Sequence, residues 1–142
     1  KMSKSDPSDM SRINLTDDAD AIQRKIQKAR TDPHPLPAAP EEFKDRPEAA
    51  NLMGIYAALA DQDIAAVCRQ FGGKQFSAFK KELADLAVAT LEPIRLDMLR
   101  FKADPAHVEG VMADGARRAQ AIAEPILAEV QRIVGFLRPG RS

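Results

Sequence analysis

Apolar residues recur at three- and four-residue steps along most of this chain, the spacing that places side chains on one face of an α-helix. Ala19, Ile22, Ile26 and Ala29 form one such stripe, and Leu52, Ile55, Tyr56 and Leu59 a second. Phe79, Leu83, Leu86, Ile94, Met98 and Phe101 continue the pattern, as do Ala119, Ile122, Ile126, Val130, Ile133 and Leu137. No stretch alternates with the period of two that a strand facing a core requires. The expectation is an all-α fold, a bundle of four to six helices with no internal repeat.

Caps and breakers divide the pattern. Residues 1–15 read as an extended segment rich in Ser, Asp and Lys, with Pro7 barring a helix through Asp6. Thr16 or Asp17 is placed to cap the first helix, whose early acids and later Arg24, Lys25, Lys28 and Arg30 match the macrodipole. Pro33, Pro35, Pro37 and Pro40 end it and make a stiff connector over 33–46. Pro47 suits the first turn of a helix running to Ala60, and Asp63 caps a shorter one, Ile64 to Phe71, ended by Gly72-Gly73. The next helix, from Phe76, is expected to kink at Pro93. Asp104-Pro105 restarts the chain as a helix, which Asp114-Gly115 breaks and Pro125 bends.

Composition narrows the function classes. Among 142 residues, 21 Lys+Arg balance 21 Asp+Glu, which excludes a uniformly basic nucleic-acid wrapper while allowing local basic patches. Ala49 to Ala60, the longest charge-free run, is far short of the roughly 18–20 apolar residues of a membrane span. A lone Cys68 cannot close an internal disulfide, so a reducing, cytosolic setting is the default. Cys68, His34 and His107 lack metal-site spacing, and no metal site is expected. Cys68 reads as a small core residue, and both histidines as exposed. The chain starts at Lys1 without an initiator Met, which points to the interior of a longer polypeptide.

The first five residues, Lys1-Met2-Ser3-Lys4-Ser5, carry chemistry. Two ammonium groups on a short Ser-containing segment can meet the negative charge that builds on a departing phosphate group, and hydroxyl and N–H donors can add to an anion-binding turn. The pentapeptide resembles the KMSKS motif of class I aminoacyl-tRNA synthetases. The sequel narrows the resemblance to bacterial tryptophanyl-tRNA synthetases: Asp6-Pro7, Ile13-Asn14-Leu15-Thr16-Asp17-Asp18, Ile22, Lys25-Ile26-Gln27-Lys28-Ala29, Thr31-Asp32, Asn51-Leu52-Met53-Gly54-Ile55-Tyr56, Gly73-Lys74, Phe79-Lys80, Leu91-Glu92-Pro93-Ile94 and Asp114-Gly115-Ala116. One departure is Gly73-Lys74-Gln75-Phe76, where that family has Gly-Lys-Gly-Tyr.

The resemblance implies several things together. Residues 1–15 are the KMSKS loop, following a Rossmann-type α/β catalytic domain that would precede residue 1, and 16–142 form an all-α domain of the anticodon-binding type. Lys1 and Lys4 are the catalytic cations, and Lys1, Met2, Ser3, Lys4 and Ser5 contact ATP, whose phosphates carry Mg²⁺. The full-length enzyme activates L-tryptophan as an adenylate, transfers it to tRNA(Trp) and works as a cytoplasmic homodimer, while this stretch alone is inactive. Beside this stands a module derived from a synthetase, a stand-alone helical tRNA-binding or protein-interaction domain.

Cationic windows locate candidate RNA contacts. Arg24, Lys25, Lys28 and Arg30 stand away from the first apolar stripe. Arg69 to Lys81, with Lys74, Lys80 and Lys81, contains no acid, and neither does the tail around Arg132, Arg138 and Arg141. Each has two readings, a solvated helix face or a phosphate contact. Phe76 and Phe79 either pack in the core with Leu83 and Leu86 or stack on bases.

Overall fold

The computed structural model describes residues 8–135. Asp18, not Thr16 or Asp17, starts the first helix: its Oδ1 accepts from the Ala21 N–H at 2.8 Å, and α1 spans Ala19–Lys28. α2 covers Pro47–Ala60 with Pro47 in its first turn, and α3 covers Ile64–Phe71 under the Asp63 cap. α4 runs Phe76–Ala103 and α5 Pro105–Val134. Short 3₁₀ turns occupy Asp9–Ser11 and Pro40–Phe43. All regular structure among the described residues is helical, as the periodicity predicts.

One expected interruption does not occur: α5 continues through Asp114-Gly115, and Pro125 lies inside it as Pro93 lies inside α4. A glycine inside a helix costs only about 1 kcal/mol relative to alanine, too little to end a 30-residue helix. Asp114 also accepts from Arg117 within the helix, at 2.5 Å.

The chain divides into two compact units, 1–99 and 100–142. In the first, the core gathers Ile22 and Ile26 of α1, Leu52 and Met53 of α2, Val67 and Phe71 of α3, and Phe79 and Leu83 of α4. Phe71 packs edge-on against Tyr56 and Phe79, with ring centroids 4.8 and 4.9 Å apart. Phe76 and Phe79 are both buried, which answers their two readings in favour of packing. On α2 the buried stripe is Ala49, Leu52, Met53 and Ala57, while Ile55 is exposed. Tyr56 and Leu59 are half-buried and pack against the same core, so of the predicted face only Ile55 turns outward.

The proline-rich connector is tied down at one close contact. Leu36 exchanges backbone hydrogen bonds with the α3–α4 turn, accepting from Gly73 at 2.8 Å and donating to Lys74 at 2.9 Å. Gly72 permits this approach, since a Cβ there would stand 2.6 Å from the Ala38 Cα. Asp32, just ahead of the connector, accepts two hydrogen bonds from the guanidinium of Arg46 at its end, at 2.8 and 3.1 Å.

The second unit contains the end of α4 and all of α5. Asp104 caps α5 by accepting from the His107 N–H at 3.0 Å, and Gly135 ends it in the left-handed region. His107 stacks on Phe101 with centroids 5.9 Å apart. No residue of α5 is buried, and Ile122 is 71% exposed. The predicted stripe Ala119–Ile133 is therefore present as a face but uncovered among the described residues, with Leu137 outside them.

Candidate functional site

Lys1, Met2, Ser3, Lys4 and Ser5 lie outside the described residues, as do Arg138 and Arg141. What the structure describes is the stretch that follows them and its attachment to the helical body. Ser8 caps the turn Asp9–Ser11, its hydroxyl accepting from the Met10 N–H at 3.3 Å. From the extended Arg12 the chain passes Ile13, which packs against the core, and turns at Leu15-Thr16, where the Asp17 N–H donates to the Asn14 carbonyl at 3.0 Å ahead of the α1 cap.

Lys25 organises this stretch. Its ammonium group lies 2.5 Å from Asp9 Oδ2 and 2.6 Å from Asp17 Oδ2. Asn14 completes the cluster: its side-chain amide donates to both Asp9 oxygens at 2.9 and 3.0 Å, and its backbone N–H donates to Asp17 at 2.9 Å. Arg12 adds an ion pair to Asp9 at 3.0 Å. Burial by itself would pull the Lys25 ammonium down, but the Asp17 and Asp9 carboxylates outweigh it and hold it above its ordinary value. Hydrogen bonds from Lys25 and then Asn14 hold Asp9 below the usual carboxylate range. Burial pushes Asp17 up, yet Lys25 and the Asn14 N–H together leave it lowered.

The candidate cations separate into two kinds. Arg24, Lys28, Arg30, Lys74 and Lys81 are exposed. Arg30 follows the end of α1 and meets Glu48 at 3.3 Å. Lys74 lies over the Phe71 ring, 4.7 Å from its centroid, and 3.9 Å from Glu82, an acid just beyond the acid-free window. Lys25 and Lys80, in contrast, are only 8% and 6% exposed. Lys80 donates from α4 to the carbonyls of Gln27 and Ala29 at 3.0 and 2.6 Å, satisfying the C-terminal end of α1. Burial pushes its ammonium below the ordinary lysine value.

This corrects the expectation that Lys25 stands away from the apolar stripe. It lies on the buried face between Ile22 and Ile26, and Lys80 lies likewise among Phe76, Phe79 and Leu83. The signal was present in the spacing, since position 25 is three residues from 22, and 80 is four from 76 and three from 83. A charged residue at a core position reads as solvated only until its partners are known. Asp9, Asp17 and the α1 carbonyls are partners that no local pattern names.

His34 and His107 are exposed, and Cys68 is fully buried. Burial, with Glu42 and Glu41 adding to it, raises the Cys68 thiol. Among the described residues no group of three or more His, Cys, Asp or Glu side chains is placed to hold a metal ion, and no helix is long and apolar enough to cross a membrane.

Comparison with known proteins adds to this geometry. Residues 1–92 match the family model for tRNA synthetases class I (W and Y). The tryptophan–tRNA ligase of Rhizobium meliloti (strain 1021) is 56% identical over 138 residues, covering 97% of this chain and 39% of that protein. Its counterpart in Caulobacter vibrioides is 54% identical over 136 residues, 96% of this chain and 40% of the relative. That of Thermosynechococcus vestitus is 38% identical over 139 residues, 98% and 42%. The chain thus spans about two fifths of the length of the curated relatives it matches.

Proposed function

The chain belongs to the class I tRNA synthetases (W and Y), and from that premise we propose that it is the KMSKS loop and helical domain of a tryptophan–tRNA ligase. In this reading residues 1–15 carry the loop and 16–142 the helical domain, and the tryptophan pocket lies in a Rossmann-type domain ahead of them. The observation that supports it is the family match over residues 1–92, which takes in Lys1-Met2-Ser3-Lys4-Ser5, together with relatives named tryptophan–tRNA ligase.

The chemistry assigned to the loop follows from charge. The tryptophan carboxylate attacks the α-phosphate of ATP, and pyrophosphate leaves with the electron pair of the broken P–O bond. Negative charge grows on the leaving oxygens only as that bond breaks. Ammonium groups at Lys1 and Lys4 that meet it there stabilise the transition state more than bound ATP. Ser3 and Ser5 add hydroxyl and backbone N–H donors for the phosphates, and Met2 helps seat the loop against the nucleotide. Mg²⁺ enters with the ATP phosphates as part of the substrate. The tryptophanyl group then passes to tRNA(Trp), and AMP leaves. The full-length enzyme acts as a cytoplasmic homodimer, and the stretch without its catalytic domain is inactive.

For the tRNA backbone we assign the exposed cations Arg24, Lys28, Arg30, Lys74 and Lys81. Lys25 and Lys80 are left out, because their ammonium groups are occupied within the fold.

The test is tryptophan-dependent exchange of pyrophosphate into ATP by the full-length protein. Lys4→Ala is expected to lower the exchange rate far more than it weakens tryptophan binding. An unchanged rate removes Lys4 from its assigned role. Neutralising Lys74 and Lys81 together is expected to weaken tRNA binding at low salt and flatten its salt dependence, by roughly 0.7–0.9 in log–log slope per lost phosphate contact.

A further inference from the structure

The cluster around Lys25 takes in the later part of the proposed 1–15 loop, downstream of the Lys1–Ser5 pentapeptide. Asp9 is the fourth residue after Ser5, so the chain between them spans at most about 14 Å even when fully extended. Wherever Asp9 is held, the loop's exit from the helical body is held within that reach. Asp9 is held by charge. Its side chain is 48% exposed, and its carboxylate is drawn to the nearly buried Lys25 ammonium, which Asp17 grips from the other side. Without Lys25 the two carboxylates, each within 2.6 Å of one nitrogen, would repel across a short gap and the turn at Asp9–Ser11 would lose its register. Ile13 supplies apolar attachment to the core, but an apolar contact tolerates sliding that a two-carboxylate clamp on one ammonium does not.

We propose that Lys25 and Asp9 form a positioning pair for adenylate formation, fixing the point from which the Lys1–Ser5 segment leaves the helical domain. This rests on the reading of that segment as the catalytic loop. It gives Lys25 a part in the first, tRNA-independent half-reaction in place of RNA contact. The transition state is sensitive to such anchoring, because a displacement of 1 Å by a change far from the chemistry can cost about 100-fold in rate.

The experiment uses the full-length protein and tryptophan-dependent pyrophosphate exchange. Asp9→Asn is the informative variant. It leaves the Lys25–Asp17 contact in place while removing the charge through which Asp9 meets Lys25, and with it the ion pair to Arg12 and part of the Asn14 contact. We expect kcat to fall about ten-fold or more, with the tryptophan KM and tRNA affinity within about twofold of the unaltered enzyme. Lys25→Met should show the same split, and Lys25→Arg should restore most of the rate. Arg46→Met, which breaks the Asp32–Arg46 ion pair elsewhere in the first unit, should lower Tm and leave kcat in place.

Normal kcat in folded Asp9→Asn protein overturns the inference alone. A kcat loss in Arg46→Met that scales with its Tm loss as it does in Lys25→Met also overturns it, by making the effect one of general stability. Absence of tryptophan-dependent exchange in the unaltered full-length protein overturns the underlying reading, and the inference with it.

Discussion

Lys80, the fifth residue of α4, donates to the carbonyl of Ala29 at 2.6 Å, and so one helix closes the open end of another 51 positions earlier in the chain. The last carbonyls of a helix have no partner within it, and the partial negative charge gathered there favours a cation. Burial opposes the ammonium form, as the lowered Lys80 value records. Geometry decides the balance: two carbonyls, of Gln27 and Ala29, take two of the three N–H donors.

Lys80→Met is therefore expected to destabilise the helical domain by about 1–3 kcal/mol, the cost of leaving shielded carbonyls without donors. The urea midpoint reports it. Equal stability of the two proteins would mean that water takes over both bonds.

The Asp17–Lys25 pair makes stability depend on pH at both extremes. Asp17 ionises below its ordinary 3.8 in the fold, so its contribution is present above 3.8 and is lost as the pH falls through the lower folded value. Lys25 is held above its ordinary 10.5, so its contribution is complete below 10.5 and is lost as the pH rises through the higher folded value. Asp17→Asn should be less stable than the unaltered chain at neutral pH and should lose less on acidification. Urea midpoints between about pH 2 and about pH 7 check both statements, and parallel curves would refute them.

Gly72 and Gly73 adjoin each other but should answer substitution differently. An added Cβ at Gly72 meets backbone, Ala38 Cα at 2.6 Å and Cys68 O at 2.7 Å, and neither atom can rotate away. At Gly73 the space is open, and only the positive φ of 78° opposes a side chain. Gly72→Ala is expected to cost about 1–3 kcal/mol through overpacking. Gly73→Ala should cost about 1–2 kcal/mol from the left-handed backbone alone and keep the connector seated. Denaturant midpoints rank the two, and protease susceptibility of the 33–46 connector should rise only in Gly72→Ala.

Much of the fold could be read directly from local rules. Pro47, Asp63 and Gly72-Gly73 bound α2 and α3 where their chemistry places them, because a missing donor, a carboxylate cap and a side-chain-free turn act within four residues. Asp114-Gly115 misled for the converse reason: one weak residue cannot stop a helix that its neighbours propagate on both sides. The candidate site divided along the same line. The pentapeptide Lys1–Ser5 was legible as a motif, since its chemistry is local, and the relatives of this chain carry the name tryptophan–tRNA ligase.

From the sequence alone came the helical class, most helix ends, the Lys1–Ser5 pentapeptide as a candidate motif and the set of cations. Only the tertiary structure decided which cations face water. Arg24 and Lys28 share a helix and a charge sign with Lys25, and one helical turn carries exposed and buried positions side by side. Whether a lysine is solvated or clamped depends on groups distant along the chain, Asp9 and Asp17 for Lys25 and the carbonyls of Gln27 and Ala29 for Lys80. Electrostatic partnership acts through space over a few ångströms, and folding alone brings those groups within that range.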